Sequence, residues 1–164
     1  MMKPIRVAVV GLGLGAQRAK GYLQNDNALL CAVCDADLDR LKDFQSQWPG
    51  VRGYSNYQLM LETEELDLVN VSTPDWMHFQ HVKLALQLDC HVLVEKPMTM
   101  LPCQSKELEE FADAIYNEEG TIIDVADADD YYEAYVYADS SDASSSALRG
   151  DSDEYNGFGG FKIA

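Results

Sequence analysis

The sequence predicts a doubly wound α/β fold on a parallel sheet over residues 1–125, followed by an acidic, disordered tail over 126–164. Three observations carry this prediction. Short apolar runs of strand length alternate with segments of helical period, the pattern of repeated βα units. A glycine-rich turn joins the first such run to the first helical segment, and an aspartate closes the second run. Beyond residue 125 the chain turns to Asp, Ser, Ala, Gly and Tyr without a sustained apolar period, a composition that buries too little apolar surface to offset the entropy of ordering.

The elements follow in order. Residues 5–10 are a β-branched apolar run, and Ala16, Ala19, Tyr22 and Leu23 then recur at helical spacing until Asn25-Asp26-Asn27 ends the helix. Residues 29–34 read as a second buried strand. Leu38, Leu41 and Phe44 mark a second helix stopped by Pro49-Gly50, and a short strand follows at 51–54. Ser55 is placed to cap a brief helix carrying Tyr57, Leu59 and Met60. Residues 66–72 form the next strand, and Thr73-Pro74 opens a helix whose buried stripe takes Val82, Ala85, Leu86 and Trp76. The strand at 91–95 ends at Pro97. A helix from 104 to 116 buries Leu108, Phe111, Ala112 and Ile115, and a sixth strand at 121–125 completes the sheet. Within the tail, the aromatic segment 131–137 is suited to an edge strand.

The 164 residues give room for one ordinary domain, and 47% of them are hydrophobic, enough for a core. The net charge of −16 is uneven: residues 1–112 carry 10 basic and 15 acidic side chains, and residues 113–164 carry 2 and 13. So acidic a chain repels phosphate backbones and anionic lipid surfaces, which argues against nucleic acid and membranes as partners. The apolar stretch 7–16 superficially resembles a signal peptide, but Gly11, Gly13 and Gly15 suit a turn after a strand better than an inserted helix. A cytoplasmic location is therefore expected, with Cys31, Cys34, Cys90 and Cys103 as reduced thiols. Cys31 and Cys34 are spaced C-x-x-C, but strand pleating is expected to point them to opposite faces, and no metal site is predicted.

Gly11-Leu12-Gly13-Leu14-Gly15-Ala16 matches G-x-G-x-x-A between a strand and a helix, the context in which that pattern binds a pyrophosphate. Gly11 permits the sharp turn, Gly13 lets a phosphate approach, and Ala16 lets the helix pack on the sheet, with helix-start amides facing the anion. Asp35 stands 24 positions after Gly11, near the offset of about 20 expected of the acid that binds the adenosine ribose. Its carboxylate accepts from both ribose hydroxyls and repels a 2′-phosphate, favouring NAD, while Arg40 and Lys42 keep NADP open. The plainer alternative is that Asp35 caps the following turn. In an open parallel sheet Ser72-Thr73-Pro74-Asp75 and Glu95-Lys96-Pro97 end strands on the same crevice.

GLGLGA, CDAD, STPDWMH and HVLVEKP together resemble the N-terminal half of the Gfo/Idh/MocA oxidoreductases over residues 5–125. The resemblance implies hydride exchange between a nicotinamide and a sugar or polyol. It places Lys96 beside the nicotinamide, hydrogen-bonded to the substrate hydroxyl and assisting proton movement, and it places Thr73, Pro74 and His78 on the nicotinamide side. It also implies a cis Lys96–Pro97 bond. The resulting candidate site has Lys96 as catalytic residue and Gly11, Gly13, Leu14, Gly15, Asp35, Ser72, Thr73, Pro74, His78, Glu95, Lys96 and Pro97 around the dinucleotide. From position alone, His78 also reads as a surface histidine and Lys96 as a solvated strand-end lysine.

The chain departs from the family's pattern in two places. The usual Gly-x-Asn-x-Arg-Phe after the sixth strand is Ala126-Asp127-Ala128-Asp129-Asp130-Tyr131 here, and Asp89 stands where many relatives have glycine. The second domain that normally supplies the substrate pocket has no room in this length. Two readings follow: an oxidoreductase whose missing substrate groups come from a partner chain or a homo-oligomer, or a truncated dinucleotide-binding module without turnover of its own.

Overall fold

The computed structural model describes residues 3–115, 122–124 and 134–137. Five βα units come first: β1 (Ile5–Val10), α1 (Gly15–Leu23), β2 (Ala28–Cys34), α2 (Leu38–Gln47), β3 (Arg52–Tyr54), α3 (Tyr57–Thr63), β4 (Leu68–Val71), α4 (Asp75–Gln87), β5 (His91–Val94) and α5 (Pro102–Ile115). Two short strands follow, β6 (Ile122–Asp124) and β7 (Ala134–Tyr137). The described strands form one sheet in the order β3-β2-β1-β4-β5-β7-β6. β1 to β5 all pair in parallel, so the predicted doubly wound α/β architecture is present. The order runs outward from β1 in both directions, and the crevice between the ends of β1 and β4 is the topological switch point where such sheets bind ligands.

Side-chain alternation in the strands builds two apolar layers. Val7 and Val9 of β1 meet Ala19 and Tyr22 of α1 and Leu41 and Phe44 of α2 on one face. Ala8 and Val10 meet Met60 of α3, Val82, Ala85 and Leu86 of α4 and Leu108 of α5 on the other. A parallel strand buried on both faces needs this continuous apolar composition, and residues 5–10 have it.

Several local expectations are corrected. β6 runs in the same direction as β5 but is not its neighbour, because β7 lies between them, antiparallel to both. The 131–137 segment therefore contributes an internal strand rather than an edge strand, and the sheet takes in four residues of the predicted tail. An antiparallel strand needs only a short return from β6, and its aromatic and β-branched residues favour pairing on both sides. The rest of the tail, 138–164, and the departing motif at 126–131 lie outside the described residues. α3 is capped by Asn56, whose side chain accepts from the Leu59 amide at 2.9 Å, not by Ser55. Trp76 is 68% exposed, so it does not belong to the buried stripe of α4.

β2 also breaks its simple alternation. Val7 pairs with Leu30 and Ala8 with Ala32, leaving Cys31 as the extra residue of a bulge. Leu30 and Ala32, two apart, thus enter opposite layers, and the pleating argument for Cys31 and Cys34 fails. Both thiols are free, and burial pushes each up, Cys34 to about 12, which disfavours the thiolate.

α4 ends in a Schellman motif. The Cys90 amide donates to the Ala85 carbonyl and the Asp89 amide to the Leu86 carbonyl, each at 3.1 Å, with Asp89 at φ 56°. Glycine adopts this left-handed conformation without the steric cost that a Cβ brings. Asp89→Gly is accordingly expected to stabilise the fold by about 1 kcal/mol, read as a higher denaturant midpoint at unchanged slope. An unchanged or lower midpoint would contradict this account of the turn.

Candidate dinucleotide site

Glycine is demanded at Gly11 by the backbone itself. Gly11 has φ 91°, and a Cβ there would lie 2.4 Å from the Ser72 carbonyl oxygen and 2.8 Å from the Thr73 amide nitrogen. The turn after β1 thus crosses directly against the chain leaving β4, and the Gly11 amide donates to the Cys34 carbonyl at 2.8 Å, joining the end of β2 as well. Gly15 is needed for close helix packing, since its Cβ would meet Ser72 Cβ and Val9 Cγ1 at 2.9 Å. Gly13 differs. A Cβ at Gly13 would meet only the tip of Arg40, at 3.8 Å, so protein packing does not explain the glycine, whereas close approach of a ligand does.

The start of α1 matches that reading. Its N-cap is Leu14, 74% exposed, with no side-chain cap and no acidic residue in the first turn. By contrast Asp37 caps α2 and Asn56 caps α3. A helix N-terminus without a protein cap presents donors and a positive dipole end to an anion.

Asp35 is buried at the end of β2 and is tied into the glycine turn. One carboxylate oxygen accepts from the Leu12 amide at 2.6 Å and the other from the Asp37 amide at 2.8 Å. Asp35 thus forms the local turn of the plainer alternative and also holds the glycine loop, with lone pairs left for a further donor. Arg40, on the first turn of α2, lies 3.7 Å from Asp35 and 3.4 Å from Asp37. Its guanidinium stands beside the carboxylate that would repel a 2′-phosphate.

On the β4 side, Ser72 is buried and donates to Asn70 Oδ1 at 2.8 Å, while Asn70 Nδ2 donates to the Tyr22 hydroxyl at 3.1 Å. This polar chain links β4 to α1 beneath the glycine turn. Pro74, exposed, forms the N-cap of α4, again without a side-chain cap. The Thr73 hydroxyl lies 3.1 Å from His81 Nδ1. His78 is fully buried, contrary to the surface reading, with Nε2 2.7 Å from the Thr73 carbonyl oxygen and Nδ1 2.7 Å from that of Pro97. Its ring meets backbone and has no exposed face for a cofactor.

The turn after β5 completes the crevice. The Lys96–Pro97 bond is cis. Glu95 is engaged by Arg18 of α1, whose Nε and Nη2 donate to the same carboxylate oxygen at 2.8 and 2.6 Å. Lys96 is exposed, and no described residue pairs with its ammonium. The structure thus brings Gly11, Gly15, Ser72, Thr73 and Asp35 into direct or one-residue contact, and joins Lys96 and Pro97 to them through His78. Sequence reasoning missed Arg18, Asn70, Tyr22 and His81. Only His81 had a visible signal, since its spacing of three from His78 puts both on one face of a helix.

The opposite end of the sheet is closed by ion pairs. Arg6 binds Asp67 at 2.8 Å, which holds the Asp67 carboxyl below its usual range, and the buried Glu64 takes Arg52 and the Tyr54 hydroxyl. Charged groups therefore satisfy one another at the strand starts, while the lysine at the strand ends stays open.

Comparison with known proteins agrees with this geometry. The Gfo/Idh/MocA model, described as an oxidoreductase family with an NAD-binding Rossmann fold, matches residues 5–121. D-glucoside 3-dehydrogenase of Escherichia coli is 34% identical over 107 residues, covering 64% of this chain and 30% of that protein. The WlbA dehydrogenase of Chromobacterium violaceum, solved with NADH and UDP-GlcNAcA, superposes with TM-score 0.65 at 32% identity, covering 70% of this chain and 34% of that one. A 3-ketoreductase from Actinomadura kijaniata, solved with TDP-benzene and NADP, superposes with TM-score 0.62 at 30% identity, covering 68% and 36%. The chain thus spans about a third of the length of these relatives.

Proposed function

The chain belongs to the Gfo/Idh/MocA oxidoreductase family, and from that premise we propose that it is the dinucleotide-binding part of an enzyme exchanging hydride with a sugar- or polyol-like substrate. The observation that carries the reading is Gly13, a glycine that the protein's own packing does not require, at the uncapped start of α1. The pyrophosphate sits there against backbone donors. The ribose hydroxyls donate to Asp35, whose bonds to Leu12 and Asp37 fix its orientation. Thr73 and Lys96 would hold the nicotinamide end.

The bound cofactor supplies the hydride acceptor or donor. Lys96 Nζ would take the proton of the substrate hydroxyl as hydride passes from the carbon bearing it to the cofactor, and would return the proton in the reverse direction. Glu95 anchors the lysine's strand end to α1 through Arg18. Lys96 stands exposed, with no described residue on its far side to enclose a substrate. Dinucleotide binding is therefore the activity these residues carry alone, and turnover draws on further groups that position the reacting carbon. No helix among the described residues is long and apolar enough to cross a membrane.

NAD is the preferred cofactor in this reading, with NADP admitted because Arg40 offsets the charge of Asp35. Asp35→Ala tests it. Losing a carboxylate–hydroxyl bond costs about 1.5–3 kcal/mol, so NAD affinity should fall by roughly tenfold or more. NADP, which gains from removal of a like charge, should lose much less. Loosening of the Leu12 loop affects both ligands alike and cancels in their ratio. An unchanged NAD-to-NADP ratio by calorimetry would remove Asp35 from the ribose.

A further inference from the structure

His78 is the one fully buried histidine among the described residues, and both of its ring nitrogens face backbone carbonyl oxygens at 2.7 Å. A carbonyl oxygen cannot donate. A neutral imidazole has one N–H and one lone pair, so it satisfies one of these oxygens and sets its lone pair against the other. Only a ring carrying both N–H groups satisfies the two. The carbonyls also matter by place: Thr73 ends the turn that crosses Gly11, and Pro97 directly follows Lys96. We propose that His78 is a positioning residue, a two-donor bridge that fixes the Lys96-Pro97 turn against the Thr73-Pro74 turn and so holds Lys96 at the nicotinamide end of the crevice.

His81, one turn along α4, is pushed down to about 4, chiefly by burial, and its ring packs tilted against Tyr57 of α3 with ring centres 4.5 Å apart. The charged groups on the neighbouring elements are otherwise committed or exposed. Glu95 is held by Arg18, Glu107 of α5 by Lys83 at 2.6 Å, and Asp75 and Lys96 are exposed. The neutral His81 ring shares a hydrogen bond with the Thr73 hydroxyl. Thr73 is thereby held twice by α4, through its carbonyl and its side chain.

This inference rests on the placing of Lys96 beside the nicotinamide, so its test has one arm that does not. Nitrogen-15 NMR of the full chain reads the His78 ring directly at neutral pH. Two protonated nitrogens are expected, and an unprotonated nitrogen would overturn the bridge. The second arm compares His78→Gln with the wild type for NAD and for ADP-ribose, which lacks the nicotinamide. Glutamine keeps one donor end and loses the other, which frees the Thr73-Pro74 turn at the nicotinamide end, so NAD affinity is expected to fall about fivefold to tenfold while ADP-ribose affinity stays level. Equal losses would mark His78 as a general structural residue and overturn the positioning role. If neither ligand binds even the wild type, the dinucleotide reading itself fails and the ring signals alone decide the bridge.

Discussion

Gly11→Ala is expected to lose dinucleotide binding together with much of the fold's stability. Its Cβ would stand 2.4 Å from the Ser72 carbonyl oxygen, backbone that cannot rotate away, at a φ of 91° that a side chain resists. Combining the left-handed cost with that of overpacking gives about 2–5 kcal/mol, a large part of the stability of an ordinary domain. In a thermal melt this is a drop of about 10 °C or more. Gly13→Ala is the informative contrast. With only the Arg40 tip 3.8 Å away, it should melt within a few degrees of the wild type yet bind NAD at least about tenfold more weakly, a loss of ~1.4 kcal/mol. If both variants melt alike and both keep NAD affinity, the glycine turn is a packing feature and not a phosphate cradle.

Lys96→Ala is expected to have the largest effect on chemistry and almost none on binding. A positioned proton donor or acceptor contributes about 10²–10⁴-fold to rate, so NADH formation with a panel of polyols should fall by that factor. Lys96 is exposed and no described residue depends on its ammonium, so the melting temperature and NAD affinity should stay close to those of the wild type. Equal NADH formation by the variant and the wild type, above the rate without protein, would remove Lys96 from the reaction. A shared fall in NAD affinity would make it a binding residue instead.

The parts of this site that were legible in the sequence are those built from local chemistry. A β-branched run, three glycines and an aspartate at the next strand end define β1, its turn and Asp35, because each depends on residues adjacent in the chain. The arrangement at Lys96 was legible only through resemblance, since Glu-Lys-Pro after a strand has no distinctive physics by itself. The burial of His78 was not legible because both partners are backbone carbonyls, at Thr73 and Pro97, and no residue pattern marks a carbonyl. The pairing of Glu95 with Arg18 spans 77 positions and depends on α1 packing across β1, β2 and β4. β7 was misplaced for a related reason, because strand order is a property of the whole sheet and not of the 131–137 segment. Trp76 shows the limit of periodicity: it follows helical spacing yet lies on the open first turn of α4, where no element covers it.

The most direct test of the central claim is calorimetric titration of the purified chain with NAD and then NADH. An uncapped α1, a ligand-compatible Gly13 and an oriented Asp35 predict saturable binding of one dinucleotide per chain. An absence of saturable heat for both ligands, in a chain shown by circular dichroism to be folded, would contradict a working dinucleotide site.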